Sequence, residues 1–249
     1  MTAAIARFIP TRIVACSSAA AEAHCNIGYP SELISIIPNG FDPPDENSKA
    51  EFAFDLRQQL NICEDRLLIG LIGRYHPAKD HENFIRAAAI VAADFPEAHY
   101  ILCGKGITPE NKHLSEAIAQ AGLTGKIHLI GQQSNIAAIM KNLQFLVSSS
   151  ISEAFPNVVG EAMSMGIPCV VTDVGDSAKL VGDTGIIVPA GDSSALADGI
   201  SRMLRMSRPE LAKIGTLARE RIKKNFSLAT VAKQYEKLYL EVTYERQRK

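Results

Sequence analysis

Short apolar runs alternate with amphipathic stretches along most of the chain. Leu67–Gly73 (LLIGLIG) contains no polar side chain and predicts a strand buried on both faces. Glu82–Asp94 is Ala-rich and predicts a helix ended by Pro96. Strand His99–Cys103 follows, then helix Glu110–Ala121 closed by Gly122, then strand Lys126–Ile130. The alternation continues with helix Ser134–Asn142, for which Ser134 is the expected N-cap, and strand Gln144–Ser149. Helix Asn157–Met165, stopped by Gly166, and strands Pro168–Thr172 and Gly185–Val188 complete it. Strands that are apolar on both faces and separated by helices imply parallel βαβ units. The six runs from Leu67 to Val188 therefore predict an α/β fold, a doubly wound parallel sheet with helices on both faces. Three more helical patterns, Ser193–Met206, Pro209–Asn225 and Leu228–Arg246, make a helical extension, the last opening after the N-cap Ser227.

The opening residues fit this sheet poorly. Ile13–Cys16 reads as a strand, Ser18–Asn26 as a helix and Leu33–Pro38 as a second strand, before a polar, Pro-rich linker at Asp42–Asn47 (DPPDEN). Residues 1–40 thus resemble the tail of a preceding α/β domain. The expected division is 1–40 as that remnant, 41–226 as the sheet domain and 227–249 as a final helix.

Composition removes several classes of function. Lys and Arg total 26 against 27 Asp and Glu, a formal charge of -1, which argues against a dedicated nucleic-acid binder. No apolar run approaches the roughly 20 residues of a membrane span, and no secretory signal is evident. The five cysteines are scattered without a C-x-x-C, as expected of buried free thiols in a cytoplasmic protein. The six histidines form no zinc pattern; His76 and His81 read as solvated loop residues. Ser148–Ser150 reads as a strand end. The run Arg219–Lys224 (RERIKK) reads as a solvated helix face, with peripheral contact to an anionic membrane as the alternative.

In an open parallel sheet, ligands sit beyond the carboxyl ends of the strands. Arg74 and Lys79 follow the first strand of the main run and supply a planar fork and a point charge, the pair a diphosphate requires. Gly104-Lys105-Gly106 follows the next strand; with Pro109 at the third glycine position it is a weak dinucleotide fingerprint, and there is no P-loop. Its glycines either let backbone approach a flat base or ribose, or turn the chain. Gly131-Gln132-Gln133 follows the third strand. Ser152–Asn157 follows the fourth strand, and the segment Phe155–Gly160 opens a helix directly after it, where free N–H groups and the helix dipole favour phosphate. Glu153 and Glu161, eight apart, suit sugar hydroxyls better than phosphate, although Glu161 equally suits the helix start.

The segments IIPNGFD (Ile36–Asp42), GRYHPAKD (Gly73–Asp80), LCGKG (Leu102–Gly106), IHLIG (Ile127–Gly131), SEAFPNVVGEAMSMGIPCVVTDVG (Ser152–Gly175) and GIIVPAGD (Gly185–Asp192) together resemble the donor-binding half of a GT-B glycosyltransferase of family 4. The resemblance implies a retaining, metal-independent transfer from a nucleotide-diphosphate sugar, UDP favoured, to a saccharide or lipid acceptor, with no cofactor. It implies that Arg74 and Lys79 hold the diphosphate, that Glu161 binds the ribose, and that Glu153 contacts the transferred sugar. Backbone around Phe155–Val158 would touch sugar and phosphate. The full set of donor positions is Gly73, Arg74, Lys79, Gly104, Gln133, Glu153, Ala154, Phe155, Pro156, Asn157, Val158 and Glu161, with Glu153, Arg74 and Lys79 acting in catalysis.

Three positions depart from the common pattern: Asp80 and Ala154 where glycine is usual, and Lys179 where an acidic residue is frequent. The first two are expected to narrow the donor pocket. The family's N-terminal acceptor domain is represented only by residues 1–40, so the chain is expected to bind donor without transferring sugar by itself. The stripe Val231, Tyr235, Leu238, Tyr239 and Val242 is then expected to be partly exposed and to promote self-association. A sugar-nucleotide epimerase and a non-catalytic binding module are the alternatives.

Overall fold

The computed structural model of the chain describes residues 2–6, 9–43 and 55–247. The first elements are α1 (Thr2–Ile5), β1 (Ile13–Ala15), α2 (Ser18–Asn26) and β2 (Ile34–Ile36). β1 and β2 pair in parallel, Val14 beside Ser35, as a two-stranded sheet of their own. Most of the Asp42–Asn47 linker lies outside the described residues.

After α3 (Leu56–Leu60) the main sheet begins. Its strands are β3 (Leu67–Ile72), β4 (Ala98–Cys103), β5 (Ile127–Leu129), β6 (Phe145–Ser148), β7 (Cys169–Thr172) and β8 (Ile186–Val188). All are parallel, in the order β5-β4-β3-β6-β7-β8. The connecting helices are α4 (His81–Asp94), α5 (Lys112–Gln120), α6 (Ile136–Met140), α7 (Asn157–Ser164) and α8 (Ser177–Val181). Then come α9 (Ser193–Leu204), α10 (Arg208–Asn225) and α11 (Leu228–Gln247). The predicted α/β sheet, with helices on both faces and a helical C-terminal extension, is the observed one.

Alternation along each strand divides the core in two. Ile69 and Leu71 pack with Phe84 and Ile85 of α4 and with Leu196 and Ile200 of α9. Leu68, Leu146 and Val171 pack on the other face with Val159 and Met163 of α7 and Ile222 of α10. Full burial of such a side chain contributes roughly 1.5–3 kcal/mol relative to exposure. This leaves the strand ends and loops free for other uses.

Several expectations need correction. The N-cap of α6 is Asn135, whose side chain accepts from Ala138 N at 3.0 Å, and not Ser134. Both residues are good caps, and the sequence does not choose between them. Helix α8, five residues long, is too short to show a helical period. Only Cys103 and Cys169 are buried thiols; Cys16 and Cys25 are half-buried and Cys63 is exposed. The α11 stripe is partly exposed, as expected: Val231, Tyr235 and Leu238 pack on Ile37. Tyr239, Leu240 and Tyr244 remain exposed. Within Arg219–Lys224, Arg221 is committed to protein: it donates to the carbonyls of Leu180 (2.8 Å) and Lys179 (2.7 Å), and Ile222 is buried.

Candidate functional site

Strand β3 is flanked by β4 on one side and β6 on the other. The chain winds outward in opposite directions from β3 and β6, which opens a crevice beyond their carboxyl ends. Two loops meet there. The first, Gly73–Asp80, contains a 3-10 turn over Pro77–Lys79, opened by the His76 ring accepting from Ala78 N at 3.2 Å. Asp80 ends that turn at φ +46° and starts α4, its carboxylate accepting from Asn83 N at 3.2 Å. Asp tolerates the left-handed region better than most residues. The departure from glycine at this position thus keeps the backbone shape and adds a helix cap.

The second loop, Ser149–Pro156, is stitched to the first. Ile151 N donates to Ala78 O at 2.9 Å, and the Ser149 hydroxyl donates to the carbonyls of Lys79 (2.8 Å) and Asp80 (3.2 Å). This brings Lys79 Nζ onto Glu153 Oε1, and the Ser150 hydroxyl donates to the same oxygen at 2.8 Å. Both charged side chains are largely withdrawn from water. Arg74, by contrast, is exposed at the start of the first loop.

The second loop is also held from behind. Phe155 is buried, stacked at 6.0 Å on Phe41 and tilted against Phe226 at 6.1 Å. Only its backbone can face a ligand. A Cβ on Gly160 would lie 2.3 Å from the Phe41 ring, so α7 can approach that ring only with glycine there. Gly175, at φ +55°, has the same role at Glu153, since a Cβ would lie 2.1 Å from Glu153 O. Asp176 N donates to Ala154 O at 3.2 Å. The buried Asp176 carboxylate accepts from Ser18 N (3.0 Å) and Ala19 N (3.3 Å) at the start of α2, with Lys179 Nζ 3.7 Å away. Lys179, where acidic residues are frequent, thereby balances this carboxylate.

Helix α7 begins at the crevice. Its N-cap, Pro156, offers no side-chain acceptor, whereas α2, α4, α5, α9, α10 and α11 each open on a side-chain cap. Among the described helices of eight residues or more, α7 is the one without such a cap. Asn157, its first residue, accepts from Asn39 Nδ2 at 2.7 Å. Glu161, about one turn into the rim-facing helix, keeps contact with solvent, yet partial burial holds its carboxyl above the ordinary range.

The remaining predicted positions have protein-based explanations as well. A Cβ on Gly104 would lie 2.1 Å from Gly73 O, so glycine there lets β3 and β4 end side by side. Of the two roles open to that glycine, turning the chain is the one with a visible cause. Gln133 folds back, donating to Ile130 O at 2.6 Å. A Cβ on Gly73 would meet only the Lys79 side chain at an ordinary 3.5 Å, so the protein itself does not demand glycine there. His81 is not a solvated loop residue. It is the buried first residue of α4, its ring nitrogens lack partners, and burial together with the Lys79 charge lowers its pKa to about 4. Among the described residues no three His, Cys, Asp or Glu side chains converge on a metal-sized point. No described helix is long and apolar enough to cross a membrane.

Asn39, Phe41, Ser150 and Asp176 were not among the expected site residues, although each fixes one that was. Their partners are distant in sequence or, for Ser150, hidden in a serine run that also ends a strand.

Residues 53–221 match the family described as Glycosyl transferases group 1. The chain belongs to this family. It is 26% identical over 242 residues to the lipopolysaccharide core biosynthesis mannosyltransferase LpsB of Rhizobium meliloti, covering 94% of the chain and 67% of the relative. It is 27% identical over 190 residues to the N-acetyl-alpha-D-glucosaminyl L-malate synthase of Bacillus anthracis, covering 75% and 49%. The crystal structure of Anabaena Alr3699/HepE in complex with UDP and glucose superposes with a TM-score of 0.83 at 27% identity, over 95% of this chain and 65% of that one. The chain thus spans about half to two-thirds of the length of these relatives.

Proposed function

We propose that the chain carries the donor site of a retaining family 4 glycosyltransferase, which moves a sugar from a UDP-sugar to a saccharide or lipid-linked acceptor at the cytoplasmic side of a membrane. The observation that carries this reading is the Lys79–Glu153 contact at the switch point, beside α7, which starts without a side-chain cap. The parallel in known structures is HepE, which was solved with UDP and glucose and with UDP-glucose.

In this reading Arg74 and Lys79 hold the diphosphate, and the first N–H groups of α7 share its charge. As the bond to the sugar breaks, negative charge grows on the departing phosphate. The two cations and the helix start stabilise that charge. Glu153 accepts from sugar hydroxyls and Glu161 from the ribose. Gly73 leaves room for the ligand that the protein does not itself fill. Gln133, Gly104 and the backbone of Ala154–Val158 line the rest. No divalent metal enters this scheme, because the cations and the helix start supply the charge one would bring.

Calorimetric titration with UDP, with and without EDTA, tests the reading. Binding is expected to be the same in both, and loss of binding with EDTA would sink the metal-free scheme. A UDP-sugar converted in the absence of any acceptor would favour an epimerase instead.

A further inference from the structure

We propose that Glu153 sets the preference of this site between the intact sugar nucleotide and the spent nucleotide diphosphate, by competing with phosphate for Lys79. The inference rests on the donor-site reading above and extends it to a second role of the same carboxylate.

One oxygen of Glu153 receives both Lys79 and Ser150. The carboxylate side chain is only 13% exposed and that of Lys79 24%. The backbone bonds from Ile151 to Ala78 and from Ser149 to Lys79 tie the two loops together. Glu153 therefore cannot withdraw far when Lys79 turns to another anion. Gly175 packs closely against the Glu153 carbonyl and Asp176 N donates to that of Ala154, which fixes the backbone of this loop from the other side.

A diphosphate that engages Lys79 therefore places its negative charge beside a carboxylate that has lost its cation. Like charges at short range in a half-buried place repel. With the spent nucleotide nothing replaces the lost partner, and only the Ser150 bond already present remains. With the intact donor, sugar hydroxyls donate to the freed carboxylate, and charge-assisted bonds of this kind are among the stronger ones. The same residue thus penalises product and accommodates substrate. Its effect is to speed departure of the nucleotide once the sugar has gone.

Calorimetry with uridine, UDP and UDP-glucose on the wild-type chain and on Glu153→Gln, Glu153→Ala, Lys79→Gln and the Lys79→Gln/Glu153→Gln double variant decides the matter. Both Glu153 variants are expected to bind UDP about two- to fivefold more tightly, the worth of a partly exposed ion pair. They should bind UDP-glucose more weakly and uridine unchanged. On the Lys79→Gln background the gain for UDP should shrink, because no ion pair is left to break and only the repulsion between Glu153 and the diphosphate remains. If UDP binding depends on Lys79 yet neither folded Glu153 variant tightens it, the competition is refuted and the donor site stands. If the wild-type chain binds neither UDP nor UDP-glucose, the donor reading falls and takes this inference with it.

Discussion

Gly73–Asp80 and Ser149–Pro156 face each other across one crevice and are held by different means. The first is a short 3-10 turn with exposed Arg74, Tyr75, His76 and Pro77, anchored by its own capping bonds and by polar bonds from Ser149 and Ile151. The second is backed by the rings of Phe41 and Phe226, by two glycines at which a Cβ would clash, and by Asp176. One loop offers charge on a light frame; the other offers fixed geometry. A site that must grip an anion of variable pose and hold a sugar in one pose gains from that division.

The largest expected effect concerns the fixed loop. Phe155→Ala should cost about 3–5 kcal/mol of stability, the usual cost of removing a packed ring. Thermal melting would show it as a clear drop. A Tm within a degree of wild type would mean that the Phe41–Phe155–Phe226 stack does not hold the loop. On the charged loop the expectation inverts. Arg74→Ala and Lys79→Ala should each weaken UDP by about 1.5–3 kcal/mol and leave uridine alone. Arg74→Ala, removing an exposed side chain, should also leave the Tm nearly unchanged. Equal losses for UDP and uridine would show that the pair does not address phosphate.

The smallest effect is on pH. The pKa of His81 is lowered to about 4 by burial and the Lys79 charge, so the folded protein resists protonating it. The stability this represents is fully present above the unfolded value near 6.5 and is lost as the pH falls toward 4. His81→Leu should therefore flatten the pH dependence of stability by about 1–2 kcal/mol between pH 7 and 5. Parallel melting curves for the two proteins across that range would remove His81 from the account.

The sheet was legible in the sequence because six apolar runs, separated by helical periods, permit little else, and the rim follows from where those runs end. Lys79 and Glu153 could be assigned to one rim on that basis. Their direct contact could not, because it depends on the Ser149 and Ile151 bonds that set the height of one loop against the other. Asn39 and Asn157 stand 118 residues apart, and Ser18 and Asp176 stand 158 apart. No local pattern announces pairs of this kind. His81 was misjudged for a related reason: a histidine after Lys-Asp looks like loop, and only the left-handed Asp80 turns it inward as the first residue of a helix.

The way the small sheet is fastened has a mechanical consequence. At α2 the fastening is polar: one carboxylate, that of Asp176, on two backbone N–H groups. At Phe41 it is apolar and enclosed by rings. Opening the first exposes little oily surface and costs a few hydrogen bonds; opening the second would expose the stack. Amide exchange at Ser18 and Ala19 reads the first directly. The small sheet is thus fastened by a polar contact at Asp176 and an apolar one at Phe41, and the apolar one shares its rings with the loop that carries Glu153.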